Sequence, residues 1–391
     1  MFKDVYYQYN PWWEDGYKQD NIFPRPKLQG DCIQELNNKA ITMLTGLRRT
    51  GKTTQLKEIL WYLLQQGVPA KHLFYVSLDD YQLKNKSILE IISDYRKLHK
   101  LEFKQKVYLF LDEITYKKDF QHQLKNIYDQ HNVKIFVSSS SCSALKDKRG
   151  YLTGRKNIIE VCPLNFTEYL IFKEIKVEKR DQSLLENYFE EYMQTGGMPE
   201  YVLNENREYL VELVDDIIYK DIVAFHGLKR PELVKDYFAL LMERSGKQIS
   251  LNKIAKILGM SPDTASRYLE MFVDAYLVYL VPRHGKMNET ILSSKKVYAA
   301  DLGIRNIFTG FRDKGAIFEN VVFFRIKNLE PRYIYQDGLE IDFITRGKTL
   351  IEVKYNREIN DKQKQLFDTI SARKKILIRN FEDLRQLEEI S

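Results

Sequence analysis

The apolar positions in the first half of the chain fall in short, nearly continuous runs rather than in alternation. ITMLT (41–45), HLFYVSL (72–78), KVYLFL (106–111), VKIFVS (133–138) and NIIEV (157–161) all have strand length. Between them the spacing turns helical: Lys52 to about Gln66, closed by Gly67, then 86–99 and 119–130. A strand without a polar face is buried on both sides. This alternation therefore predicts an α/β fold, a parallel sheet with helices over each face.

After residue 162 the pattern changes. Residues 163–230 read as helices broken at Gly196-Gly197-Met198-Pro199. Leu251, Ile254, Ala255, Ile257 and Leu258 then form one helical face, ended by Gly259. Ser261 as N-cap and Pro262 at the first helical position open SPDTASRYLEMFVDA, and a strand follows at 276–281. Two short helices, a glycine turn and a strand predict a winged helix-turn-helix. From 313 the chain returns to mixed α/β. A helix is expected near 316–329, and strands at 333–336, 340–345 and 349–354. A helix (360–372), a strand (375–379) and a short acidic helix complete it. Residues 1–30, with Asn10-Pro11-Trp12-Trp13, read as an irregular aromatic arm packed on the next domain.

At 391 residues with 44% apolar content, two or three domains are expected. Cys32, Cys142 and Cys162 are widely spaced with no CxxC or Cys/His cluster, which argues against structural zinc and fits a reducing cytoplasm. No run is long enough for a membrane span, and MFKDVYYQYN reads as neither signal nor transit peptide. The net charge of +7 permits a nucleic-acid partner without requiring one.

The chemistry is most explicit at GLRRTGKT (46–53), a G-x-x-x-x-G-K-T loop between an expected strand and helix. Gly46 and Gly51 let the backbone curl so that N–H groups of Arg49, Thr50 and their neighbours face phosphate, and the helix from Lys52 adds its positive end. Lys52 reaches the outer phosphates. Thr53 offers a hydroxyl to magnesium, with Thr54 beside it. VYLFLDE (107–113) sets Asp112 at a strand's carboxyl end to hold magnesium, and Glu113 can polarise the attacking water. No Asn-Lys-x-Asp motif occurs, which favours ATP over GTP. Ser139 or Ser140, at the tip of the strand expected between the loop strand and the Asp-Glu strand, can sense the terminal phosphate. Arg149 or Arg155, in a basic stretch with Lys146 and Lys148, can stabilise transition-state charge in cis or across an interface. Asp79 and Asp80 end the second strand and are read as caps of the next turn.

These pieces resemble the additional-strand P-loop ATPases of the AAA+ and STAND type. The chain as a whole is similar to a family of archaeal and bacterial ATPases with a nuclease-like C-terminal domain. The similarity is carried by GLRRTGKTT (46–54), FLDEI (110–114), LTGR (152–155), PLNFTEYL (163–170), GGMPEYV (196–202), YKDIV (219–223), KKVYAADLGIRN (295–306) and FENVVFFRI (318–326). The resemblance implies a central sheet with a helical lid, a winged helix and a restriction-endonuclease-like fold. It also favours Arg155 over Arg149 as the sensor or finger. The family usually carries glycine in its sensor segment, where this chain reads SSSS.

Asp342 in GLEIDFITRG lies a hairpin's distance before Glu352 and Lys354 in TLIEVKY. Glu352 and Lys354 share a strand face. Paired carboxylates can hold a hard divalent cation such as magnesium, the lysine can activate water, and Glu319 on the preceding helix could complete the set. This is the D-x(n)-E-x-K order of restriction-type (PD-(D/E)XK) nucleases. Ser266 and Arg267 lie on the expected recognition helix, with Arg283 and Lys286 after the wing strand. Residues 282–316 hold seven Lys/Arg against three Asp/Glu, and such a basic wing suits DNA phosphates.

The expected organisation is thus a P-loop core with its arm (1–162), a helical lid (163–230), a winged helix (231–290) and a nuclease-like domain (291–391). The expected function is magnesium-dependent ATP hydrolysis acting on DNA, with nuclease activity in the last domain. The alternative is an ATP-controlled switch that binds DNA, protein or its own copies without cutting. No membrane partner is expected.

Overall fold

The computed structural model describes residues 3–14, 16–18, 22–141, 150–177 and 181–390. The chain divides into two compact units, Met1–Cys162 and Pro163–Ser391.

The first unit is built on five parallel strands: β1 (Ile41–Thr45), β2 (Leu73–Ser77), β3 (Val107–Asp112), β4 (Val133–Ser139) and β5 (Lys156–Glu160). Their order across the sheet is β2-β3-β4-β1-β5. Every residue of β1 and β4 is buried, as their unbroken apolar runs require. Alternate side chains serve opposite faces. Met43, Leu109, Leu111, Ile135 and Val137 pack with Ile88, Ile91 and Ile92 of the helix Ile88–Leu98 and with Leu124 and Ile127 of the helix Phe120–Gln130. Leu44, Phe110 and Phe136 face the other way, onto Leu56, Ile59, Leu60 and Leu63 of the helix Lys52–Gln65.

The amino-terminal arm is regular where irregular chain was expected. It forms the helix Lys3–Tyr9 and a 3-10 turn Pro11–Trp13. It caps the edge strand β2. Asn10 Nδ2 donates to the Tyr75 carbonyl (2.9 Å) and Asn10 Oδ1 accepts from the Tyr75 amide (2.7 Å), as a neighbouring strand would. The Trp12 and Trp13 indoles both donate to the Leu73 carbonyl.

The second unit begins with helices, among them Phe166–Phe172, Gln182–Thr195 and Pro231–Glu243. Its small antiparallel sheet comprises β6 (Lys247–Ile249), β7 (Val278–Val281) and β8 (Lys295–Ala299), in the order β6-β8-β7. The helices Leu251–Leu258 and Pro262–Asp274 lie between β6 and β7, with Gly259 left-handed at φ 62°. β8 comes from the stretch expected to start the last domain, yet it is the central strand here. The apolar pattern after residue 230 did not signal β6 or β8, since each is short and begins with lysine. A mixed sheet follows, ordered β12-β11-β10-β9, from β9 (Arg332–Gln336), β10 (Leu339–Ile344), β11 (Thr349–Val353) and β12 (Lys374–Ile378). β10 and β11 form the expected hairpin, with Phe343 opposite Ile351. The helix Lys314–Ile326 precedes it.

Buried Asp301 ties two of the glycine-bearing motifs together. It accepts from the Gly197 amide (2.6 Å) and caps the helix Leu302–Thr309 through the Ile304 amide (2.9 Å). Among the described residues, no helix is long and apolar enough to cross a membrane.

Candidate functional site

The loop after β1 needs glycine for two separate reasons. Gly46 runs at φ 136°, and a Cβ there would meet the Val161 carbonyl oxygen at 2.4 Å. Gly51 sits at φ 96°, the left-handed start of the helix Lys52–Gln65. The chain thereby turns sharply enough to bring a helix N-terminus beside the strand end. Lys52 is 5% exposed and curls over its own loop, donating to the carbonyls of Gly46 (3.0 Å) and Leu47 (2.8 Å). The Thr50 hydroxyl closes the loop onto the Leu47 carbonyl (2.9 Å), while Arg49 and Thr54 are exposed.

Asp112 ends β3 and collects three hydroxyl donors. Thr53 Oγ1 reaches its Oδ2 at 2.7 Å, and the Tyr75 hydroxyl reaches the same oxygen at 2.8 Å. Ser138 Oγ donates to Oδ1 and accepts from the Glu113 amide at 2.9 Å. Glu113 has φ 51°, a left-handed backbone that costs about 1–2 kcal/mol in a residue with a Cβ. Burial, the largest influence, raises its pKa above the usual carboxylate value, while the Lys52 charge pulls it back. Ser140 Oγ donates to Glu113 Oε1 at 2.8 Å, whereas Ser139 Oγ turns to the Ser141 carbonyl. Of the two serines expected to face a terminal phosphate, Ser140 adjoins the acidic pair and Ser139 does not. Asp80 accepts from the Gln82 amide as a cap of the next turn, as expected.

Ser138, Tyr75 and Arg25 are functional neighbours that the sequence reading missed. Arg25 of the arm donates to the carbonyls of Thr50 and Cys162, both at 3.0 Å, which fixes the phosphate loop from behind. Ser138 could have been found from strand pairing: Leu111 lies beside Val137, so Asp112 lies beside Ser138.

Arg155 lies away from the loop of its own chain. It precedes β5, whose first residue Lys156 pairs with Ile41 at the amino end of β1, while the loop leaves the carboxyl end. Five residues of strand, roughly 17 Å, separate the two ends. The Arg155 guanidinium bonds Asp129 (3.2 Å), so it does not serve the loop of its own chain. Arg149, Lys146 and Lys148 lie outside the described residues.

The second unit brings Glu319, Asp342, Glu352 and Lys354 together as the sequence order suggested, but around another residue. Lys296 of β8 is fully buried, and its ammonium contacts Glu319 (2.6 Å), Glu340 (2.7 Å) and Asp342 (3.1 Å). The Tyr298 hydroxyl also donates to Glu319 (2.6 Å). Asp342 Oδ2 accepts from the Val353 amide (3.0 Å), and Glu352 Oε2 accepts from the Asp342 amide (3.1 Å). Glu352 Oε1 accepts from Lys354 and from Gln363 Nε2. Burial, then the Asp342 charge, push Glu319 up to about 7 and Glu352 up to about 8. Burial opposes the charge of Lys296, yet Glu319, Tyr298, Asp342 and Glu340 hold its pKa well above the usual lysine value. A cleft of about 630 Å³ opens beside the cluster, bordered by Glu319, Asp342, Lys354, Lys314 and Arg357. Among the described residues, no three His, Cys, Asp or Glu side chains are grouped so as to hold a metal ion. A lysine thus stands among Glu319, Glu340 and Asp342, two of which were expected to hold a metal.

An uncharacterized protein of Methanocaldococcus jannaschii, MJ1544, is 31% identical over 361 residues, spanning 85% of this chain and 78% of that one. The chain belongs to that family. A Haemophilus influenzae relative, also uncharacterized, is 26% identical over 83% of this chain and 84% of its own length. Residues 38–170 match the AAA domain family and residues 186–315 match a domain of unknown function. The match to the AAA family spans the whole P-loop sheet, so the first unit is an AAA-type P-loop domain. Among solved structures, the Walker-type ATPase PABY2304 of Pyrococcus abyssi aligns with 75% of this chain and 97% of its own. Its identity is 14% and its TM-score 0.48.

The residues expected to meet DNA are dispersed in their surroundings. Arg267 is exposed and Ser266 half-buried on the helix Pro262–Asp274, and exposed Lys286 precedes the helix Met287–Leu292. Arg283 instead ties β9, its guanidinium donating to the Tyr335 carbonyl.

Proposed function

We propose that the chain is an ATP-hydrolysing switch that uses magnesium. The supporting observation is the convergence of Thr53, from the loop helix, and Asp112, from β3, at 2.7 Å. A hydroxyl and a carboxylate so placed are the donor chemistry that suits a hard divalent cation next to phosphates. Lys52 and the loop amides would hold the phosphates, and Thr53 and Asp112 would hold magnesium. Magnesium, when bound, supplies neutralisation of phosphate charge. Glu113, with its pKa raised by burial, orients and deprotonates water, and Ser140 holds its carboxylate in place. Arg155 then has a role only toward a second copy. Purified chain should hydrolyse ATP with magnesium, and Lys52→Ala should remove turnover. A wild-type chain that neither binds nor splits ATP defeats this reading.

We further propose that the second unit engages DNA without cutting it. The helix pair Leu251–Leu258 and Pro262–Asp274 beside a three-stranded sheet suits a winged helix that starts in the expected span 231–290 and takes its central strand from Lys295–Ala299, with Arg267 exposed on its second helix. Ser266, Arg267 and Lys286 are the proposed contacts, and residues 163–230 and 291–391 the lid and the nuclease-like domain. Binding should weaken with salt, and Arg267→Ala should lower the log–log slope by about 1. A slope unchanged by Arg267→Ala, or affinity indifferent to salt, argues for a protein partner instead.

A further inference from the structure

We propose that Lys296 is the resident cation of the second unit's carboxylate cluster, so that this nuclease-like site takes no divalent metal. The inference stands apart from the nucleotide reading. Lys296 arrives from β8, the central strand of the small sheet, and not from the hairpin that carries Asp342 and Glu352. Strand alternation sets Lys296 and Tyr298 on one side of β8, toward Glu319. An ammonium donates up to three hydrogens: Glu319 and Asp342 accept at 2.6 and 3.1 Å, and Glu340 forms an ion pair at 2.7 Å.

The remaining oxygens of Asp342 and Glu352 are also committed. Asp342 turns its second oxygen to the Val353 amide, and Glu352 spends both on the Asp342 amide, Lys354 and Gln363. A magnesium ion needs near-octahedral oxygen ligands at about 2.0–2.1 Å. Sharing Glu319 and Asp342 with Lys296 would set it against a full positive charge with no water between. The lysine does what a metal would do, which is to let several buried acids stand close together. Being covalently attached, it needs no loading. It also ties the small sheet to the hairpin, so the carboxylates act as a structural joint between the two parts of this unit.

The test is manganese binding by nucleotide-free protein, read from the free-ion electron paramagnetic resonance signal. Wild type, Glu319→Gln and Asp342→Asn should bind manganese identically. Lys296→Met should bind one additional ion per chain, and adding Asp342→Asn should remove it. Lys296→Gln serves as the second neutral variant, and circular dichroism establishes that each is folded. Wild-type binding that Asp342→Asn abolishes would overturn the proposal. So would folded Lys296→Met and Lys296→Gln chains that bind no more than wild type. The comparison of wild type with Glu319→Gln decides the question even if neither lysine variant folds.

Discussion

Thr53 Oγ1 donates to Asp112 Oδ2 at 2.7 Å, joining the first turn of a helix to the end of a strand 59 residues on. Ser138 Oγ holds the other carboxylate oxygen and also accepts the Glu113 amide. One serine thus orients both acids. Ser138→Ala should reduce kcat for ATP by about 10- to 100-fold with little change in KM, since it orients the two acids and is not one of the proposed phosphate-holding groups. It should also cost about 1–2 kcal/mol in stability by stranding a buried amide. Steady-state kinetics and urea unfolding check both.

Glu113 keeps a left-handed backbone at φ 51°, which glycine adopts freely. Glu113→Gly should lose turnover and yet be more stable by about 1 kcal/mol, as expected where a site stores strain. A variant less stable than wild type would mean that the Ser140 bond outweighs the backbone cost.

What the sequence made legible follows from what burial does to a strand. ITMLT, KVYLFL and VKIFVS have no polar face because helices cover both sides, and that composition alone places Asp112 at a strand tip. The roles of Ser138 and Tyr75 depend on which strands are neighbours, and no single segment carries that information. The position of Arg155 was not legible because a short motif fixes a residue's place in the chain and not which end of the sheet it occupies. Lys296 was hidden for a similar reason. It reads as one of several basic residues in 282–316 until the pairing of β8 with β6 and β7 brings it under the hairpin.

Asn10 is fully buried and makes three bonds to main chain, two of them to the edge residue Tyr75. Asn10→Ala should destabilise the first unit by about 3 kcal/mol, with the exposed β2 edge promoting self-association. Chemical denaturation and light scattering would show these two effects.

Lys134 on β4 donates to the carbonyls of Asn38 (2.9 Å) and Ala40 (2.6 Å), and burial lowers its pKa from 10.5 to about 8. The unfolded chain therefore holds this proton more tightly than the folded one. The cost of burying the charge is fully present below pH 8 and fades as pH rises from 8 toward 10.5. The stability difference between wild type and Lys134→Met should shift toward wild type by up to about 3 kcal/mol across that window. Denaturation midpoints of both proteins, measured through the window, test it. A constant difference would show that Lys134 does not titrate there.

The nucleotide recovered from Glu113→Gln after incubation with ATP and magnesium tests the central claim most directly. Chromatography of the released nucleotide should return intact ATP, while wild type yields ADP, because the variant keeps Lys52, Thr53 and Asp112 and loses only the base. ADP produced by Glu113→Gln at the wild-type rate would contradict the account.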